Sequence, residues 1–125
     1  MAEARVVIVN FNAGENLRHC MAALLAQTKT DLEVRIVDNA STDGSLRYIP
    51  ADDRFSVIHA GGNIGFAAGC NLGANDCTAP FVAFLNPDAF PEPGWLDALL
   101  RAAKSYPDGT RLNFSHRDAV LPVDG

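Results

Sequence analysis

Cysteine is scarce in this chain: Cys20, Cys70 and Cys77 are an odd set in 125 residues and show no C-x-x-C spacing. That excludes a disulfide framework and a cysteine zinc site, and reads all three as reduced, mostly buried thiols. Charge is sparse as well, at 20% of residues, and its balance is acidic, with a formal net charge of -5. A nucleic-acid binder needs a basic face to displace counterions, so no nucleic-acid partner is expected. No apolar run approaches the roughly 20 residues that cross a bilayer. Met1-Ala2-Glu3-Ala4-Arg5 has no signal-peptide plan, so a cytoplasmic location is the default expectation. His19, His59 and His116 show no metal-ligand spacing, and no Gly-x-Ser-x-Gly elbow is present, which disfavours nucleophilic catalysis.

What the chain does have is 48% hydrophobic residues without low-complexity tracts, in a length close to the mode for one domain. Val6-Val7-Ile8-Val9 is a β-branched run short enough for a strand buried on both faces. Leu17, Met21, Leu24 and Leu25 follow at helical spacing, with Asn16, Arg18, His19 and Gln27 on the opposite face. That helix is expected to be capped near Asn12 or Gly14. Further strands are expected over residues 33–38, 55–59 and 81–85, with a short helix over 45–48, a small-residue helix over about 66–75, and a helix marked by Trp95, Leu96, Leu99 and Leu100. Strand and helix alternate, which predicts an α/β unit with a mostly parallel sheet. The pattern weakens past Tyr106-Pro107-Asp108-Gly109. The reading therefore takes residues 1–107 as a ligand-binding α/β domain and 108–125 as an irregular tail, with a hairpin around Arg117-Asp118 using Leu112, Phe114, Val120, Leu121 and Val123.

Two apolar runs end in acidic loops. Val34 to Val37 delivers Asp38, Asn39, Ala40, Ser41, Thr42, Asp43 and Gly44, and Phe81 to Leu85 delivers Asn86, Pro87 and Asp88. In an open α/β sheet, ligands bind beyond the carboxyl ends of the strands, so both carboxylates stand where a ligand would. A carboxylate at Asp38 can accept the imide N–H of uracil or thymine, and it can equally be a turn aspartate. Asp88 could hold a hard divalent cation whose other ligands are phosphates and water, or it could belong to a bare Asn-Pro-Asp turn. Gly61 to Asn71 presents backbone N–H groups and two asparagine amides at a helix start, where an anion is favoured. Its glycines fit neither a G-x-G-x-x-G fingerprint nor a P-loop, and Gly65, Ala68 and Gly69 also suit close helix packing.

Four motifs in this order, Val7-Ile8-Val9-Asn10-Phe11-Asn12, Val37 to Gly44, Asn63 to Asn71 and Phe84-Leu85-Asn86-Pro87-Asp88, resemble family 2 glycosyltransferases, most closely the rhamnosyltransferase-like branch. The resemblance covers about Arg5 to Leu100 and implies a Rossmann-like GT-A fold. It implies that Asn10, Phe11 and Asn12 line the base and ribose pocket, that Asp38 binds a pyrimidine, and that Asn39 and Asp43 support that loop. Asn63, Gly65 and Asn71 would lie near the diphosphate and donor sugar. Asp88 would hold Mg²⁺ or Mn²⁺ in the family's Asp-x-Asp position, with Asn86 in place of the first aspartate. The implied reaction is inverting transfer of a sugar from a UDP- or dTDP-sugar to an acceptor hydroxyl, on a glycan or lipid-linked acceptor, in polysaccharide or cell-wall synthesis. A lipid-linked acceptor would bring the domain to the inner face of the membrane.

In that family the general base lies in a second half, and Asp97, Asp108, Asp118 and Asp124 match no such context, so the catalytic residue stays unassigned and the chain is expected to be truncated. The competing readings are a nucleotide-sugar-binding fragment without turnover, a sugar nucleotidyltransferase-like protein, and an α/β fragment with no ligand. A nucleotidyltransferase would carry a basic Gly-rich loop after the first strand, where this chain has Asn10-Phe11-Asn12-Ala13-Gly14. A sheet lacking later strands would leave an edge on which a homodimer could form.

Overall fold

In the computed structural model the described residues are 2–105, together with the backbone of strands 112–115 and 118–122. The chain runs β1 (Ala4–Asn10), α1 (Glu15–Leu25), β2 (Leu32–Asp38), a 3-10 turn (Ser45–Tyr48), β3 (Phe55–His59), α2 (Phe66–Ala74), β4 (Phe81–Leu85), α3 (Trp95–Lys104), β5 (Leu112–Ser115) and β6 (Asp118–Pro122). One sheet has the order β3-β2-β1-β4-β6-β5. The first four strands in that row are parallel, and β6 runs antiparallel to β4 and β5. β6 thus covers the side of β4 that faces away from β1. Val123, Arg117 and the stretch 106–111 lie outside the described residues.

Every residue of β1 is buried, as its β-branched run requires at the centre of a sheet covered on both faces. Val6 and Ile8 point into the core shared with α1 and α3, formed by Leu17, Met21, Leu24, Leu96, Leu99 and Leu100. Val7 and Val9 point to the opposite face, where Val37, Val82 and α2 lie. The strand's two-residue period therefore divides one run between two helical layers.

Two residues, one on α1 and one just past its end, depart from the helical reading. Leu25, placed on the apolar stripe, is 45% exposed, and Cys20 fills the buried face instead. Gln27, placed on the polar face, is buried. Its amide donates to the carbonyls of Ala23 and Glu92 and accepts from the N–H of Leu96, so it joins the end of α1 to the start of α3. α3 has no capping side chain of its own at Gly94, and Gln27 supplies that function from a distance.

α2 lies close to the sheet because it has glycine where it crosses β1. A Cβ at Gly73 would sit 2.3 Å from a methyl of Val7, and one at Gly69 would sit 2.9 Å from both methyls of Val9. Gly65 and Ala68, expected to share this packing role, do not: Ala68 is exposed, and a Cβ at Gly65 would meet nothing within 4 Å. Arg5 closes the far end of α2, donating to the carbonyls of Gly73 and Asn75 while its guanidinium pairs with Glu33.

Candidate functional site

The chain reaches β2 from β1 on one side of the sheet and β4 from β3 on the other, so the order reverses between β1 and β4. That switch point is where open α/β sheets leave a crevice beyond the strand ends. Asn10 ends β1 in register with Asp38, which ends β2, and the Asn86-Pro87-Asp88 turn leaves β4 on the other side of β1. Asp38 and Asp88 thus leave strands two positions apart, on the order of 10 Å at the usual strand spacing.

Asp38 is 3% exposed and its two oxygens are both engaged. Oδ1 accepts from the Asn10 side-chain amide at 3.0 Å, and Oδ2 accepts from the backbone N–H of Ser41 at 3.1 Å. The Asn10 amide nitrogen also lies 3.0 Å from Ser45 Oγ and 3.2 Å from Ser41 Oγ. Ser41 Oγ accepts from the backbone N–H of Asn12, and Asn12 Oδ1 accepts from the N–H of Thr42. The loops leaving β1 and β2 are therefore knotted by reciprocal side-chain to backbone bonds. They hold Asn12 and Ala40 at φ of 51° and 63°, a left-handed conformation that costs an alanine on the order of 1 kcal/mol.

Asp43 closes the same knot from outside. Its carboxylate accepts from the N–H groups of Gly14 and Ser45. The Ser45 side-chain hydroxyl, then the Ser45 and Gly14 N–H groups, hold its carboxyl below the usual range. Gly14 caps α1 with φ 58° and no side-chain bond of its own, so Asp43 serves as the anion at that helix start.

A second knot ties this loop to α2. The Asn39 amide donates to Asn63 Oδ1 at 3.4 Å and to the Gly65 carbonyl at 3.2 Å, and Asn63 Oδ1 accepts from the Gly65 N–H. The N–H of Asn39 donates to the carbonyl of Asn10, which joins the two knots. Asn10 and Asn39 are both buried, and the Oδ1 of each has no hydrogen-bond partner.

Asn10, Asn12, Asp38 and Asp43 thus meet in one cluster, and Asn39, Asn63 and Gly65 in an adjoining one. Phe11 stands beside them 50% exposed, Asn71 lies on the exposed side of α2, and Asn86 is half-buried. Ser41 and Ser45 are further members of the cluster, to which the sequence reading gave no role of their own. The available signal was Asn10 itself, since an amide ending a buried strand must find partners.

Asp88 is exposed, on a turn whose Asn86 carbonyl accepts from the N–H of Ala89. Burial first, and the Asp88 charge second, push the Cys20 thiol up to about 12, which keeps it a protonated, unreactive core group. Among the described residues no three His, Cys, Asp or Glu side chains converge on a metal position. A divalent cation bridging a diphosphate needs only about one protein carboxylate, and an exposed carboxylate at the switch point fits that donor set.

The chain matches the family model described as glycosyl transferase family 2 over residues 5–118, and it belongs to that family. It is 32% identical over 125 residues to the N-acetylglucosaminyl-diphospho-decaprenol L-rhamnosyltransferase of Mycobacterium tuberculosis, in a match covering 90% of this chain and 41% of that one. The fold is shared with the mannosyltransferase PcManGT of Pyrobaculum calidifontis, solved with GDP-Man and Mn²⁺, at a TM-score of 0.77 and 19% identity, over 95% of this chain and 44% of that one. It is shared too with Staphylococcus aureus TarS 1-349 bound to UDP, at a TM-score of 0.71 and 21% identity, over 85% of this chain and 33% of that one. The fold is therefore GT-A, and the chain spans well under half the length of the relatives it matches.

Proposed function

We propose that this chain is the donor-binding part of an inverting glycosyltransferase that takes a UDP- or dTDP-sugar with Mg²⁺ or Mn²⁺. The observation that carries the reading is the buried Asp38 carboxylate, held at a strand end by Asn10 and Ser41, with the exposed carboxylate of Asp88 across the switch point. Asp38 would accept the single imide N–H of uracil or thymine, since each of its oxygens keeps one acceptor site and little of it is open to larger donors. Phe11 and Asn12 would border the base and ribose with the buried Asn10 behind them, and Asn39 and Asp43 would support that loop. Asn63, Gly65, Asn71 and Asn86 would face the diphosphate and sugar. Asp88 would hold the divalent cation, whose chemistry is to neutralise charge on the departing diphosphate.

The acceptor would be a hydroxyl of a glycan or lipid-linked glycan. The Mycobacterium relative, named for rhamnosyl transfer to N-acetylglucosaminyl-diphospho-decaprenol, supports that class, and a lipid-linked acceptor would hold the domain at the inner face of the membrane. The base that takes the acceptor proton is assigned to none of the described residues. A second copy would have to add at β3 or β5, because β1, β2, β4 and β6 have both neighbours filled.

The test is thermal unfolding with UDP or dTDP, with and without Mn²⁺, on the wild type, Asp38→Ala and Asp88→Ala. At 100 times its dissociation constant a ligand of the folded state adds about 2.7 kcal/mol. A metal-dependent rise lost in both variants supports the reading, and no rise with any nucleotide defeats it.

A further inference from the structure

We propose that Asn10 and Ser45 are positioning residues that lock the Asp38 carboxylate in one orientation and so set nucleobase selectivity without touching the ligand. The inference rests on the reading of Asp38 as the base acceptor.

Asn10 is 0% exposed and Ser45 1%, so neither is available to a nucleotide. An amide nitrogen has two hydrogens, and that of Asn10 lies 3.0 Å from both Asp38 Oδ1 and Ser45 Oγ. With one hydrogen spent on serine oxygen the other is directed at the carboxylate. Turning the amide over would set its oxygen against Asp38 Oδ1, so the charge on Asp38 fixes which way the amide faces. The structure accepts an unpartnered Asn10 Oδ1 in exchange. Ser45 is itself fixed, because its N–H donates to Asp43 Oδ1 at 3.0 Å. Ser41 N–H holds the other carboxylate oxygen.

The consequence is selectivity. A carboxylate free to swing can accept the imide N–H of uracil or the 4-amino N–H of cytosine, and distinguishes them poorly. A carboxylate locked at both oxygens offers one direction of approach. Uracil presents a donor there, and cytosine presents the N3 lone pair, which it repels. Sites built to pair a substrate N–H reject analogues lacking it by large factors.

The experiment measures dissociation constants of UDP and CDP by calorimetry in Mn²⁺, using the full chain as wild type, Asp38→Ala, Asn10→Ala and Ser45→Ala, with melting curves on the same samples. The wild type is expected to prefer UDP by about tenfold or more, a preference lost in Asp38→Ala. Asn10→Ala should reduce it to within roughly threefold, and Ser45→Ala to an intermediate value. A purely structural role would weaken both nucleotides alike and leave their ratio unchanged. If Asn10→Ala does not fold, Ser45→Ala, which removes one hydroxyl, decides. An unchanged ratio in the folded variants, with the preference lost in Asp38→Ala, overturns the positioning role and leaves the base reading standing. No preference in the wild type, or its survival in Asp38→Ala, overturns both.

Discussion

Gly73→Ala should destabilise the fold even though alanine is the better helix former. At an exposed helical site the change gains about 1 kcal/mol. Here the new methyl would stand 2.3 Å from Val7 Cγ1 and 3.0 Å from Val37 Cγ2, and both valines are buried strand residues with stiff χ1. The shortfall from ordinary contact is about 1 Å, too much for side-chain adjustment alone, so α2 must lift from the sheet. Overpacking of this kind costs about 1–3 kcal/mol, rising toward the top of that range where both neighbours are rigid, so a net loss of about 1–2 kcal/mol remains. That corresponds to a melting point lower by roughly 4–10 °C. The assay is a double-mutant cycle with Val7→Ala in urea. Val7→Ala alone should cost about 2 kcal/mol, and the pair should cost less than the two single changes together by about 1 kcal/mol or more. Additive costs would refute the clash. The lift also has a functional consequence, since the Asn39 to Gly65 contact at 3.2 Å has no slack, and Gly73→Ala should weaken UDP more than its stability loss alone requires.

Other outcomes follow from the same contacts. Gln27→Leu removes three hydrogen bonds, two of which tie the end of α1 to the start of α3, and should cost about 2–3 kcal/mol by urea unfolding; a loss below about 0.5 kcal/mol would show that α3 docks without that tie. Native-state labelling with a thiol reagent at pH 8 should modify the half-buried Cys70 and Cys77 well before Cys20, whose buried thiol is pushed up to about 12. Acid should unfold the chain through its paired carboxylates. Lys104 first and Lys29 next hold Glu3 low, Arg18 holds Glu15 low, Ser45 holds Asp43 low, and Arg54 brings Asp52 to about 2. Each binds its proton more weakly folded than unfolded, so its contribution is complete above about pH 4.5 and is lost as pH falls toward 2. The urea midpoint should drop across that window, and a flat midpoint there would contradict the assignment.

The elements were legible because each carries its own period. The β-branched run of β1, the i, i+4, i+7 spacing of Leu17, Met21 and Leu24 on α1 and the apolar run ending at Leu85 are local signals, and the strands over 55–59 and 81–85 coincide with the observed ones. The four motifs together pointed to the family, which the match over residues 5–118 bears out. The misassigned positions depend on partners distant in sequence. Gln27 lies one turn beyond a polar face and reads as solvated. It is buried because α3, some 70 residues later, brings the N–H of Leu96 to it. Likewise the packing glycines of α2 could not be told from a permissive loop, because only the approach to Val7 and Val9 separates Gly69 and Gly73 from Gly65.

Asn10 shows why such positions concentrate at the candidate site. A buried amide at the end of a central strand is unfavourable by itself, and no local propensity selects it. It becomes tolerable only when β2 delivers Asp38 in register and the following loop returns Ser41 and Ser45, residues about 30 positions away, to the same nitrogen. The amide, the carboxylate and the two hydroxyls are each costly to bury alone and are satisfied together, so removing any one should disturb the rest more than its own bonds suggest. A polar network of this kind, on the carboxyl edge of an otherwise apolar sheet, gives the site a fixed shape before a ligand arrives. In the reading proposed for this chain, that fixed shape is what makes Asp38 selective, so Asn10→Ala should alter the ratio of UDP to CDP binding and not only lower the melting point.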